Sequence, residues 1–172
     1  TANFLSELKK PTSKFWKEDQ HVLDNLRGYS SMSDGGMYPI LIAANKKFNE
    51  NTKIENLKIV IEFITKLHFR AKTICGISYT QIEQLVNDIC TIIRDDKRDF
   101  SIDPMESIKN KILTWNGYPD TAKFEMEFKE FQSKQDSVLR YALIELEYNK
   151  IGGRKMSGTI IRSDIEAEHI MP

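Results

Sequence analysis

The sequence predicts an all-α protein: a multi-helix bundle of antiparallel helices, with a short extended or β segment at the C-terminus. Three observations predict it. Apolar residues recur at spacings of three and four through almost every segment up to residue 149. Caps and breakers separate those segments at short intervals. Only after Lys150 does the pattern change, first to a glycine-rich stretch and then to strict alternation. The boundaries that follow are 1–149 for the helical region, 150–158 for a Gly-rich linker and 159–172 for an extended segment.

Phe4, Leu5 and Leu8 begin a short helix, and Pro11 ends or kinks it. Phe15, Trp16, Val22, Leu23 and Leu26 give a second apolar face, which Gly28 is expected to stop before the small-residue loop from Ser30 to Gly36. Met37, Ile40, Leu41, Ala44 and Phe48 form a third stripe, with Pro39 tolerated in its first turn. The segment from Asn45 to Lys53 is polar and turns the chain.

The strongest stripe follows: Leu57, Val60, Ile61, Ile64, Leu67, Ala71 and Cys75 share one face, and Gly76 is the expected C-cap. Thr80-Gln81-Ile82-Glu83 has the form of a capping box ahead of Ile82, Leu85, Val86, Ile89, Cys90 and Ile93. The short loop between these two helices predicts an antiparallel hairpin. After a charged turn from Arg94 to Asp99, Asp103-Pro104-Met105-Glu106 reads as cap, helix-starting proline and favourable carboxylate. That helix carries Ile108, Ile112 and Trp115. Gly117 to Asp120 makes a turn and cap before a helix through Phe124, Phe128 and Phe131. The last helix carries Val138, Leu139, Ala142, Leu143, Leu146 and Tyr148.

Composition narrows the function classes. A chain of 172 residues, 40% hydrophobic and 29% charged, suits one globular domain. Its 25 basic residues balance 25 acidic ones, so no global basic field advertises nucleic acid, and a DNA contact would need a local patch. No apolar run approaches the roughly 20 residues of a membrane span. The start at Thr1, without Met or a signal-peptide pattern, is what an excised piece of a larger protein would show. A cytoplasmic setting is the default for two cysteines on apolar stripes, which read as buried thiols rather than a functional pair. His21 and His68 have no acidic or thiol partner at ligand spacing and read as surface or core-edge residues. The Phe124, Phe128, Phe131 series reads as packed core rather than a base-stacking platform. Lys9-Lys10 and Lys46-Lys47 have acids nearby and read as solvated faces.

The Gly-rich linker lacks both the P-loop spacing and a dinucleotide fingerprint. Arg154 and Lys155 are either phosphate contacts on a basic loop or ordinary solvated charge. Glu168-His169 differs. A histidine titrating near neutrality can take a proton from water. Strand alternation from Ile165 sends the neighbouring carboxylate to the opposite face, which suits two separate roles. In a one-metal nuclease those roles are a metal-holding carboxylate and a general base.

Three passages together resemble the GmrSD-type, modification-dependent restriction endonucleases. They are Ile61-Glu62-Phe63 through Arg70 to Ile74-Cys75-Gly76; Tyr118-Pro119-Asp120 with Phe124; and Arg140-Tyr141 with Leu146-Glu147, followed by Glu168-His169-Ile170-Met171-Pro172. Members of that family join a ParB-like nucleotide-hydrolysing domain, a helical middle region and an HNH nuclease domain. The resemblance implies that 1–149 is the middle region and 159–172 the truncated first strand of the nuclease. It makes His169 the general base and Glu168 a metal-site carboxylate for Mg or Mn in the parent, with no cofactor expected in these residues alone. Arg70 and Arg140 match recurrent positions and take structural roles, as ion pairs or helix-cap contacts. The implied partners are DNA, the nucleotide-hydrolysing domain and the remainder of the nuclease; no membrane partner is implied. The implied function is anti-phage defence by DNA cleavage, with these residues inactive alone. The rival expectation is a DNA- or protein-binding helical module with no catalytic role.

Overall fold

The computed structural model describes residues 2–12, 14–16, 19–33, 35–95 and 106–150. They are all-α, as expected. Eight α-helices run in order: α1 (Ala2–Lys9), α2 (Gln20–Met32), α3 (Tyr38–Lys47), α4 (Lys53–His68), α5 (Tyr79–Arg94), α6 (Glu106–Leu113), α7 (Thr121–Lys129) and α8 (Asp136–Lys150). A π-helical turn, Phe69–Ile74, continues α4. The chain divides into two compact units, Thr1–Phe131 and Gln132–Pro172. The glycine-rich linker, the alternating segment and the Asp103-Pro104 start expected before α6 lie outside the described residues.

In the first unit α2 packs on α4 and α3 on α5, with α3 also against α4. The contacts fix direction. Asp19 meets Lys58 at 3.1 Å, the Thr65 hydroxyl reaches the Asn25 carbonyl at 3.5 Å, and the Tyr29 and His68 rings lie 5.3 Å apart. Both partners advance together, so α2 and α4 run the same way. Likewise Met37 shares a cleft with Tyr79 and Ile82 at one end, and Lys47 Nζ donates to the Asp95 carbonyl at the other. The hairpin expected between α4 and α5 is therefore corrected: each pairs with the helix two places earlier. The π turn and Gly76, at φ +63°, redirect the chain between them. A residue with a Cβ disfavours that left-handed conformation by about 1–2 kcal/mol.

Local boundaries follow capping chemistry. Asp19 caps α2 by accepting from the Val22 N–H at 3.2 Å. Gly28 does not stop that helix, which continues to Met32 with Gly28 buried inside it. The roughly 1 kcal/mol a helical glycine costs is offset by Tyr29, whose ring is buried and whose Oη accepts from the Met37 N–H at 2.7 Å. Phe15 and Trp16 precede α2 in a turn and pack edge to face at 4.9 Å, with Phe4 of α1 at 6.2 and 6.3 Å. The cap of α5 is Ser78, not Thr80: its Oγ accepts from the Gln81 N–H and donates to Gln81 Oε1 at 2.8 Å. Ser78 to Gln81 also satisfies the Ser-x-x-Gln pattern, and it lies two residues closer to Gly76.

The core of this unit holds the expected stripes of α2 to α6, including Leu57, Val60, Ile61 and Ile64 of α4 and Leu85, Val86, Ile89 and Ile93 of α5. Ile74, rather than Cys75, ends the buried face of the π turn, and Cys75 is half-buried while Cys90 is in the core. Gly117 follows α6 where the Trp115 indole lies against it; a Cβ there would collide with the ring. In the second unit the buried face of α8 is Val138, Tyr141, Ala142 and Ile144. Leu143 and Leu146, expected inside, are exposed, so the buried stripe is rotated from the expected one.

Candidate functional site

The π turn carries a polar and aromatic constellation. π-helical turns widen the backbone spiral and recur at functional positions. Here the wide ring is closed by the Cys75 N–H on the Arg70 carbonyl at 3.1 Å and by the Ile77 N–H on the Ala71 carbonyl at 2.9 Å. The turn presents two sets of side chains.

One set surrounds Arg70. Its Nε donates to the Pro119 carbonyl at 3.0 Å, and a terminal nitrogen reaches Thr121 Oγ1 at 3.5 Å. Its guanidinium carbon lies 5.2 Å from the Tyr118 ring centre and 4.7 Å from that of Phe124, within cation–π range. These contacts tie down the turn ahead of α7 rather than cap it; the cap is Asp120, whose Oδ1 accepts from the Lys123 N–H at 2.7 Å, because the orphan groups of a helix start are N–H donors that a guanidinium cannot satisfy. Phe124 stacks on Phe128 at 5.5 Å, Phe128 on Phe131 at 6.5 Å, and Phe69 of the π turn meets Phe128 and Phe131 edge-on at 6.3 Å. The expectation that these phenylalanines are packed core is corrected. No residue of α7 is buried, and Phe124, Phe128 and Phe131 are half-covered. Helical spacing gave them a common face, but that face meets one turn of backbone rather than a layer of helices.

The other set lines a small cleft between Ser33, Gly36, Met37, His68, Lys72, Tyr79 and Ile82. Its volume, about 10 Å³, is room for one water at most. Lys72 Nζ lies 5.0 Å from the centre of the Tyr79 ring, and His68 is buried edge-on to Tyr29. His68 is thus buried rather than at the surface or core edge, a correction that its packing against Tyr29 explains, and His21 is half-buried on α2. Burial pushes the Tyr29 phenol up to about 12 despite the Ser33 and Met37 donors. Burial also raises the Cys75 and Cys90 thiols, so neither is an activated nucleophile.

Charge on this unit is interleaved. Lys58 pairs with Asp19 and Glu55, Lys66 with Glu62, Lys53 with Glu50 and Lys111 with Asp88. Around the phenylalanine ladder, Lys123 and Lys129 alternate with Glu125, Glu127 and Glu130. A base-stacking platform works inside a positive groove, and this sequence of charges does not supply one.

Glu168, His169, Arg154 and Lys155 lie outside the described residues. Arg140, on α8, is half-buried. Among the described residues no group of three or more His, Cys, Asp or Glu side chains is placed to hold a metal, and no helix is long and apolar enough to cross a membrane. Sequence reasoning missed the Lys72–Tyr79 contact and the stacking of Arg70 on two rings. Aromatic residues flanking Pro119 were the one available signal for the second, and nothing in local spacing pointed to the first. No protein-family model matches the chain, and neither a curated protein nor a solved structure matches it.

Proposed function

We propose that the chain is the helical middle region of a nucleotide-dependent DNA endonuclease of the restriction or anti-phage class, running into the first strand of an HNH nuclease domain. The supporting observation is spatial. Arg70 and Pro119, in two of the three passages that resemble the GmrSD-type enzymes, are 49 positions apart in the sequence, and the passages meet through the Arg70–Pro119 hydrogen bond and the Arg70 stack on Tyr118 and Phe124. A shared pattern whose parts touch is a stronger mark of a common design than either part alone.

In this reading the helical region separates nucleotide hydrolysis from DNA cleavage. His169 accepts the proton of the attacking water. Glu168 helps hold a divalent cation, Mg or Mn, which when bound stabilises charge on the phosphate and the leaving oxygen. Arg154 and Lys155 are the linker's candidate phosphate contacts in the same reading. Such a site also needs a supporting hairpin and helix to orient the histidine, so residues 1–172 alone are inactive.

The natural reading frame should extend beyond this chain on both sides. The full-length protein should nick plasmid DNA with Mg²⁺ or Mn²⁺, and His169→Ala should abolish nicking. Nicking by residues 1–172 that His169→Ala removes would overturn the inactivity of the fragment. A full-length protein that binds DNA in a salt-dependent way, yet cuts under no metal or nucleotide condition, would replace the enzyme reading with the binding-module one.

A further inference from the structure

We propose that residues 120–131 form a releasable latch, docked on the π-helical turn by Arg70 and able to open as a unit while the α2–α5 core stays folded. The proposal stands on geometry and holds whether or not the nuclease reading does.

Three observations carry it. First, α7 buries none of its residues, and among the described elements of its unit it packs to any extent only on the π turn. A segment with few buried apolar contacts is the kind that opens below the global unfolding transition. Second, the attachment is concentrated. Pro119 is buried and Tyr118 packs against the core, so the hinge is fixed. Beyond it, the contacts that hold α7 are the Arg70 stack on Phe124, the long Arg70–Thr121 bond of 3.5 Å and the edge contacts of Phe69 with Phe128 and Phe131. Arg70 touches both hinge and helix, which makes it the positioning residue of the latch. Third, the half-buried Cys75 thiol lies within electrostatic reach of Lys123, Glu127 and Asp120 of the docked latch and of Arg70, so its environment changes when the latch opens. The second unit begins at Gln132.

The test is hydrogen exchange on the whole chain, read beside pulse alkylation of its two thiols with iodoacetamide. Backbone amides of 124–130 should exchange at least about tenfold faster than those of 60–68 in the unaltered protein. Arg70→Gln should raise the 124–130 rate by about a further tenfold, raise Cys75 labelling in parallel, and leave 60–68 and Cys90 unchanged. Phe128→Ala attacks the same docking from the helix side and should give the same pattern, which keeps the test decisive if the Arg70 variant fails to fold. A common exchange rate for 124–130 and 60–68, or variants that accelerate both regions alike, would overturn the latch.

Discussion

Helices α4 and α7 carry apolar residues at the same kind of spacing and end in opposite conditions. In α4, Leu57, Val60, Ile61, Ile64 and Leu67 are buried between α2 and α3. In α7, Phe124 and Phe128 reach only half-coverage against a single π turn. The larger rings are on the less buried helix. Stabilisation follows the area removed from water rather than the size of the side chain available to be covered. One helix is held by layers on two sides, the other by an arginine and a ladder of ring edges.

The contrast breaks most visibly by truncation. Ile61→Ala should cost about 2–5 kcal/mol of unfolding free energy, the range for large-to-small changes in a closed core. Phe128→Ala removes a larger side chain yet should cost only about 1.4 kcal/mol, the equivalent of a tenfold easier opening of α7. Urea unfolding midpoints of the two variants test the ordering, and equal losses would erase the distinction between core and latch.

Tyr29 sharpens the same comparison on the core side. Tyr29→Phe strands the buried Met37 N–H and should cost about 1–3 kcal/mol. The phenol is held up to about 12 in the fold, above its usual value of 10.0. Its contribution is present in full below pH ~10 and is lost as the pH rises toward its folded value, because the unfolded chain ionises first. Alkaline unfolding should therefore steepen across that window in the unaltered protein and flatten in Tyr29→Phe.

Asp19, at the edge of α2, gives the smallest effect. Burial raises its carboxyl, but the Val22 N–H, the Lys58 ammonium and the charge of His21 outweigh that and hold it below its usual 3.8. A depressed carboxyl stabilises above its unfolded value, and that stability is lost as the pH falls through the folded one. With Asp19 about a third exposed, solvent screening limits the effect. Asp19→Asn should remove only the acid-side slope and leave the alkaline limb untouched.

Residues with local rules were legible in the sequence. The stripes of α3 to α6, the Asp120 cap, the proline in the first turn of α3 and the left-handed Gly76 all follow from contacts within a few positions. The Arg70 cluster was legible only in part, through the aromatics around Pro119 and a pattern resembling a family, since its partners lie 49 and 51 positions away. Gly28 misled because helix propensity is worth about 1 kcal/mol, and the burial of Tyr29 exceeds it. The Thr80 box misled because two overlapping Ser/Thr-x-x-Glu/Gln patterns compete, and the nearer one to Gly76 begins the helix.

By itself the sequence determined the all-α class, most helix ends and the residues available for burial, because hydrophobic period and capping act within a turn or two of chain. Only the tertiary structure decided that α2 pairs with α4 and α3 with α5, that the end of α4 widens into a π turn, and that the three phenylalanines form a half-covered ladder under Arg70. Those outcomes depend on which apolar face meets which. That is a competition among all the faces at once for area removed from water, and no local window contains it.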